Sequence, residues 1–85
     1  LDAKIRKKAF NAPRRISKIE IMIEEMEEQI ALLDEEMMAN GSDVGRLIDL
    51  SKDKETLEEE VTNLMEEWEE LESLMLELGL QPGTL

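Results

Sequence analysis

Apolar side chains recur along this chain at alternating intervals of three and four residues, and that rhythm restricts the fold more than any other feature. Between residues 16 and 37 the positions are Ile16, Ile19, Ile23, Met26, Ile30, Leu33 and Met37. Between residues 47 and 78 they are Leu47, Leu50, Lys54, Leu57, Val61, Leu64, Trp68, Leu71, Met75 and Leu78, with Lys54 the one polar interruption. A mean spacing of 3.5 keeps a single stripe of an α-helix turned toward a partner helix as the two wind around each other, which is the coiled-coil condition. With 38% charged residues and only 2% aromatics, the chain lacks the rings of a β-rich or ordinary globular core and suits long solvated helices.

Pro and Gly interrupt the pattern in three places. Asn11-Ala12-Pro13 reads as a helix start, with Pro in the first turn, where its missing amide hydrogen is not needed, and Asn11 as the cap. Asn40-Gly41-Ser42 reads as a turn in which Asn40-Gly41 supplies a left-handed residue and Ser42 or Asp43 caps the next helix. Leu78-Gly79, followed by Pro82-Gly83, reads as a helix end and a tail. The expected organisation is a basic lead-in over 1–12, an antiparallel hairpin over 13–79 (helix 13–39, turn 40–42, helix 43–78) and a flexible tail over 80–85. If the second helix breaks anywhere, the polar stretch from Ser51 to Lys54 is the expected place.

A connection this short makes the helices antiparallel neighbours. A turn near residue 41 pairs Met37 with Leu47, Leu33 with Leu50, Ile30 with Lys54, Met26 with Leu57, Ile23 with Val61, Ile19 with Leu64 and Ile16 with Trp68. At the one mismatch, the Lys54 stem can lie along the seam while its ammonium reaches an acid such as Asp34 or Glu27. Leu71, Met75 and Leu78 outrun a first helix that starts at Pro13. The expected cover is the amino-terminal segment, with Ile5, Ala9 and Phe10 folding back over the open end as a short helix or strap. The fold class is thus all-α: an antiparallel two-helix coiled-coil hairpin with a short N-terminal segment packed on the open end, monomeric in solution.

Charge is divided along the chain. Residues 1–18 carry seven basic groups against one acid, net +6; residues 19–85 carry three basic groups against 21 acids, net −18, giving −12 in all. A polyanion would be drawn to the first segment and repelled by the rest. The candidate phosphate contacts are therefore Lys4, Arg6, Lys7, Lys8, Arg14, Arg15 and Lys18, although no base-reading motif accompanies them. Runs such as Glu58-Glu59-Glu60 read as solvated faces rather than ligands, since carboxylate-bridged di-iron bundles combine Glu with Glu-x-x-His and this chain has no His. Trp68 reads as a large seam knob, and the six Met residues as adaptable core filler.

Several function classes drop out. Without Cys or His there is no disulfide, Cys/His zinc site, thiol nucleophile or imidazole base. No uncharged run exceeds the eight residues from Leu78 to Leu85, far below the roughly 20 apolar residues a membrane-spanning helix needs. The chain begins at Leu1, not Met, and is expected to be a piece of a longer protein.

The segment Arg15-Ile16-Ser17-Lys18-Ile19-Glu20, a short turn, and a second helix ending in Met65-Glu66-Glu67-Trp68-Glu69-Glu70-Leu71-Glu72 together resemble the C-terminal coiled-coil domain of ABC-F ATPases of the Uup type, over residues 8–78. That resemblance implies a parent with two ATP-binding cassettes upstream, where ATP and Mg would bind, and no cofactor in this piece. It also implies a role on the ribosome or in nucleic-acid transactions, with DNA or ribosomal RNA as the hairpin's partner, in the cytoplasm or, alternatively, an organelle stroma or matrix. Two other readings compete: a structural or protein-interaction coiled coil that touches no nucleic acid, and a tRNA-synthetase arm, although such arms tend to be basic along their length.

Overall fold

The computed structural model describes residues 3–79. Two helices account for almost all of it: α1, Ala3–Ala39, and α2, Val44–Glu77. They run antiparallel and pack along their whole length, forming a rod 58 × 20 × 14 Å. Its long dimension is that of α1 itself, since 37 residues at about 1.5 Å each come to roughly 56 Å. Among the described residues there is no strand. The proposed tail at 80–85 lies outside them.

Every one of the seventeen seam positions is buried or half-buried, while the residues between them are mostly exposed. The pairing scheme accordingly holds at the level of faces, and Lys54 does what its position requires: its ammonium meets Asp34 at 2.7 Å. That contact raises the Lys54 pKa, chiefly through the hydrogen bond to Asp34. No break interrupts α2 between Ser51 and Lys54. Thr56 and Thr62 each turn their hydroxyls back onto the carbonyl four residues earlier, Lys52 and Glu58, and so satisfy themselves inside the helix.

The turn is closed by backbone and side chain together. The Asn40 amide and side chain both donate to the Glu36 carbonyl, at 3.0 and 2.7 Å. Of the two candidate caps it is Asp43 that starts α2: its backbone is extended and its carboxylate accepts from the Arg46 amide at 3.1 Å. Arg46 then reaches back across the turn to Glu36 at 2.9 Å. The expectation of a left-handed residue at Asn40-Gly41 is not met, because only Gly79 has positive φ among the described residues. At Gly79 φ is +70°, and this residue ends α2 with its amide bonded to the Leu76 carbonyl, as the sequence suggested.

The larger correction is at the amino terminus. The helix does not start at Pro13 and Asn11 is not its cap; α1 begins ten residues earlier, at Ala3, and passes through Pro13 without interruption. Proline inside a helix removes one backbone hydrogen bond and costs about 3 kcal/mol, so something must offset it. The offset lies in the packing. The three-four spacing continues backwards from Ile16 through Ala12 and Ala9, and both alanines are buried. Ala12, Ile16, Ile19, Leu71 and Met75 form the core cluster, with Met22, Ile23, Leu64 and Trp68 against it. The amino-terminal segment does cover the overhang of α2, as expected, but as the continuation of α1 in line rather than as a folded-back strap, and residues 3–12 form no separate lead-in. Ala12 packs in that cluster against Leu71 and Met75, which supply the bulk.

Phe10 is the second casualty of that correction. Expected to cap the open end, it is 69% exposed. Once the helix runs straight through, Phe10 stands one residue after Ala9 and two before Ala12, a phase that carries it away from the seam.

Candidate nucleic-acid interface

The seven basic candidates all project from one helical stretch, and a helix sorts them by phase. At 3.6 residues per turn, Lys4, Lys8 and Arg15 share the flank of α1 that adjoins α2, Arg6 lies on the opposite flank, and Lys7, Arg14 and Lys18 share the side facing away from the seam. Sequence position alone treats these residues as one patch; the helix divides them into groups with different surroundings.

The flank beside α2 meets carboxylates. Arg15 grips Glu67 with two parallel bonds, Nε to Oε2 at 2.6 Å and Nη2 to Oε1 at 2.8 Å, in a part-buried setting. The fork raises the Arg15 pKa, and the same hydrogen bonding holds the Glu67 carboxyl below its ordinary value, with Lys8 adding to the effect. Lys8 and Ile5 line an open groove of about 660 Å³ whose other wall is Glu66, Glu69, Glu70, Ser73, Leu74 and Glu77 of α2. Arg15 thus pairs with the acidic helix and Lys8 faces its carboxylates across the groove, while Lys4 makes an interaction of its own.

The outward side is different. Lys7, Arg14 and Lys18 are all exposed and recur at seven and four residues, one continuous stripe. Phe10 lies within that stripe, three residues from Lys7 and four from both Arg6 and Arg14. Ile21, 57% exposed, follows three residues after Lys18. From there the same face turns acidic at Glu24, Glu25 and Glu28. The outward cations are therefore a bounded site about three turns long, on the helix segment with the most deeply buried seam.

Farther down the shaft, Trp68 takes its seam place only in part. It packs on the core cluster, and its indole Nε1–H donates to Glu20 at 3.4 Å. Beside it runs a groove of about 440 Å³ floored by Ile23, Met65 and Trp68 and rimmed by Glu20, Glu24, Glu27 and Glu69. Among the described residues no set of carboxylates converges closely enough to hold a metal ion. No helix there is long and apolar enough to cross a membrane.

Comparison with known proteins adds one match. No curated protein and no solved structure matches this chain. A family model described as the ABC transporter C-terminal domain does match, over residues 7–73, most of both helices and the turn between them. This chain belongs to the ABC transporter C-terminal domain family, as a non-catalytic helical-hairpin module of an ABC protein.

Proposed function

We propose that this hairpin is the nucleic-acid-contacting C-terminal module of an ABC-F-type ATPase of the Uup kind, working in the cytoplasm and joined to upstream cassettes that bind ATP and Mg. The observation that carries the reading is the outward stripe of Lys7, Arg14 and Lys18, with Arg6 beside it, on a rod whose remaining length is acidic. The outward cationic face attracts phosphates of DNA or ribosomal RNA, while the acids of α1 beyond Lys18 repel the same polyanion. Glu66, Glu67, Glu69, Glu70, Glu72 and Glu77 of α2 lie beside the basic end across the seam, so contact is confined to that outward face. With few phosphate contacts, binding is weak and falls steeply with salt.

The test is fluorescence anisotropy with labelled DNA and RNA at about 50 and 200 mM salt, a range over which phosphate contacts lose much of their affinity. Binding is expected at the lower salt and is expected to be lost in the triple variant Lys7→Glu, Arg14→Glu, Lys18→Glu. Arg15 is left intact because reversing it would break the grip on Glu67 and confuse folding with binding. No binding by the unaltered chain at low salt would remove the reading.

A protein-interaction role is the second reading, and the groove beside Trp68 favours it: an apolar floor within an acidic rim suits a basic amphipathic segment of another chain. Sedimentation with and without such a peptide separates the two.

A further inference from the structure

Phe10 is a large apolar side chain that the fold does not use. A ring 69% exposed is left in water by a helix whose seam passes through the neighbouring positions, Ala9 and Ala12. Its helical neighbours three and four residues away are Arg6, Lys7, Pro13 and Arg14, so three of the four residues around the ring carry positive charge. An aromatic face framed by cations complements a flat, electron-rich ring attached to phosphates.

Resting on the nucleic-acid reading, we propose that Phe10 is a stacking platform for an unpaired base, and that the ligand class of this site is single-stranded nucleic acid rather than duplex. Stacking on an aromatic side chain is tolerant of sequence because every base has a π-face, which agrees with a surface that has cations and no base-reading group. The geometry also fits. Lys7 and Arg14 lie seven residues apart, about 10 Å along the axis, which is close to three nucleotides of a stacked strand at roughly 3.4 Å each. The ring sits midway between them. Within a duplex the base faces are covered by their neighbours, and a ring on the convex side of a straight helix reaches one only by forcing the stack open. A single strand can turn a base outward at little cost.

An anionic membrane is the other surface that takes basic residues interleaved with apolar ones, and the molecule argues against it. Interfacial helices bury a broad apolar face, whereas the outward side of α1 offers Phe10 and Ile21 alone among the large apolar groups between residues 3 and 21. A flat bilayer would also press against Glu24, Glu25 and Glu28 on the same face of a straight rod. A strand of a few nucleotides ends before reaching them.

The experiment compares Phe10→Ala and Phe10→Trp with the unaltered chain, using a labelled 12-nucleotide oligothymidine, a blunt 12-base-pair duplex and vesicles containing phosphatidylserine, with circular dichroism as the folding control. Phe10→Ala is expected to weaken oligothymidine binding about tenfold while the slope of log affinity against log salt stays the same, because a stack is lost and no phosphate contact is. Phe10→Trp should restore the affinity, and duplex binding should be weak and indifferent to residue 10. If Phe10→Ala leaves oligothymidine binding intact while Lys7→Gln with Arg14→Gln weakens it, the stacking proposal is overturned and the nucleic-acid reading survives. Absence of binding by the unaltered chain to both oligonucleotides and to a 12-nucleotide oligouridine overturns both. Vesicle binding that depends on Phe10, without oligonucleotide binding, replaces the ligand with a lipid surface.

Discussion

The two ends of the rod are built from the same seam and are sealed to different degrees. At the open end Ala9, Ala12, Ile16, Ile19, Leu71 and Met75 are all buried; toward the turn Leu50 alone reaches that level among the described residues. Two helices by themselves can cover only a narrow strip, so most of the seam near the turn stays half wet. At the open end small side chains on α1 let large ones on α2 close over them. The outward cations of α1 ride on that better-sealed end. They are presented by a packed helix rather than by a loose arm, so less ordering entropy is lost when a ligand binds.

The sharpest way to break the comparison is a matched pair of truncations. Ile19→Ala, at a fully buried position, should destabilise by about 3 kcal/mol, within the range for deleting a buried isoleucine. Leu33→Ala, half-buried near the turn, should cost markedly less. Urea unfolding followed by circular dichroism measures both, and equal losses would mean the two ends are equivalent.

Next in size is Pro13→Ala. If α1 runs from Ala3 as found, this change restores an interior helical hydrogen bond and removes a ring clash, and should raise stability by up to about 3 kcal/mol while leaving helix content unchanged or higher. Had Pro13 stood in the first turn, the same change would be neutral or slightly unfavourable. A fall in helix content would therefore return the start of the helix to Pro13.

The smallest effect concerns the ion pair that ties the basic end to α2. Because Arg15 depresses the Glu67 pKa in the folded state, Glu67 binds its proton more readily when the chain is unfolded. Its contribution is fully present above the ordinary glutamate value of 4.5 and is lost as pH falls through the lower folded value. The difference in melting temperature between the unaltered chain and Glu67→Gln should accordingly be constant near neutral pH and close below pH 4.5. A gap that widens on acidification would contradict the assigned direction. Part exposure of both side chains keeps the effect modest.

Much of the candidate site was open to reading as charge and closed to reading as geometry. The seven cations were identifiable from their density, but their division was not: whether Arg15 faces a phosphate or Glu67 depends on which α2 carboxylate the register brings alongside. Of the three residues expected to cover the open end, Ile5, Ala9 and Phe10, Ala9 alone is buried, while Ile5 and Phe10 are exposed. Ala12, which continues the buried stripe between Ala9 and Ile16, went unread because its small side chain gives little hydropathic signal.

The heptad spacing, the short connection and Gly79 determined on their own that this chain doubles back as two antiparallel helices with its cations gathered toward one end, because those properties follow from periodicity, local backbone preference and the linear order of charges. Where α1 begins, which cations look outward and why Phe10 stands in water were decided only in the tertiary structure. The local preference of Pro13 to open a helix amounts to about 3 kcal/mol. It is outweighed when Ala12 and its neighbours upstream can continue a seam against Leu71 and Met75, an interaction that exists only once residues some sixty positions apart have met.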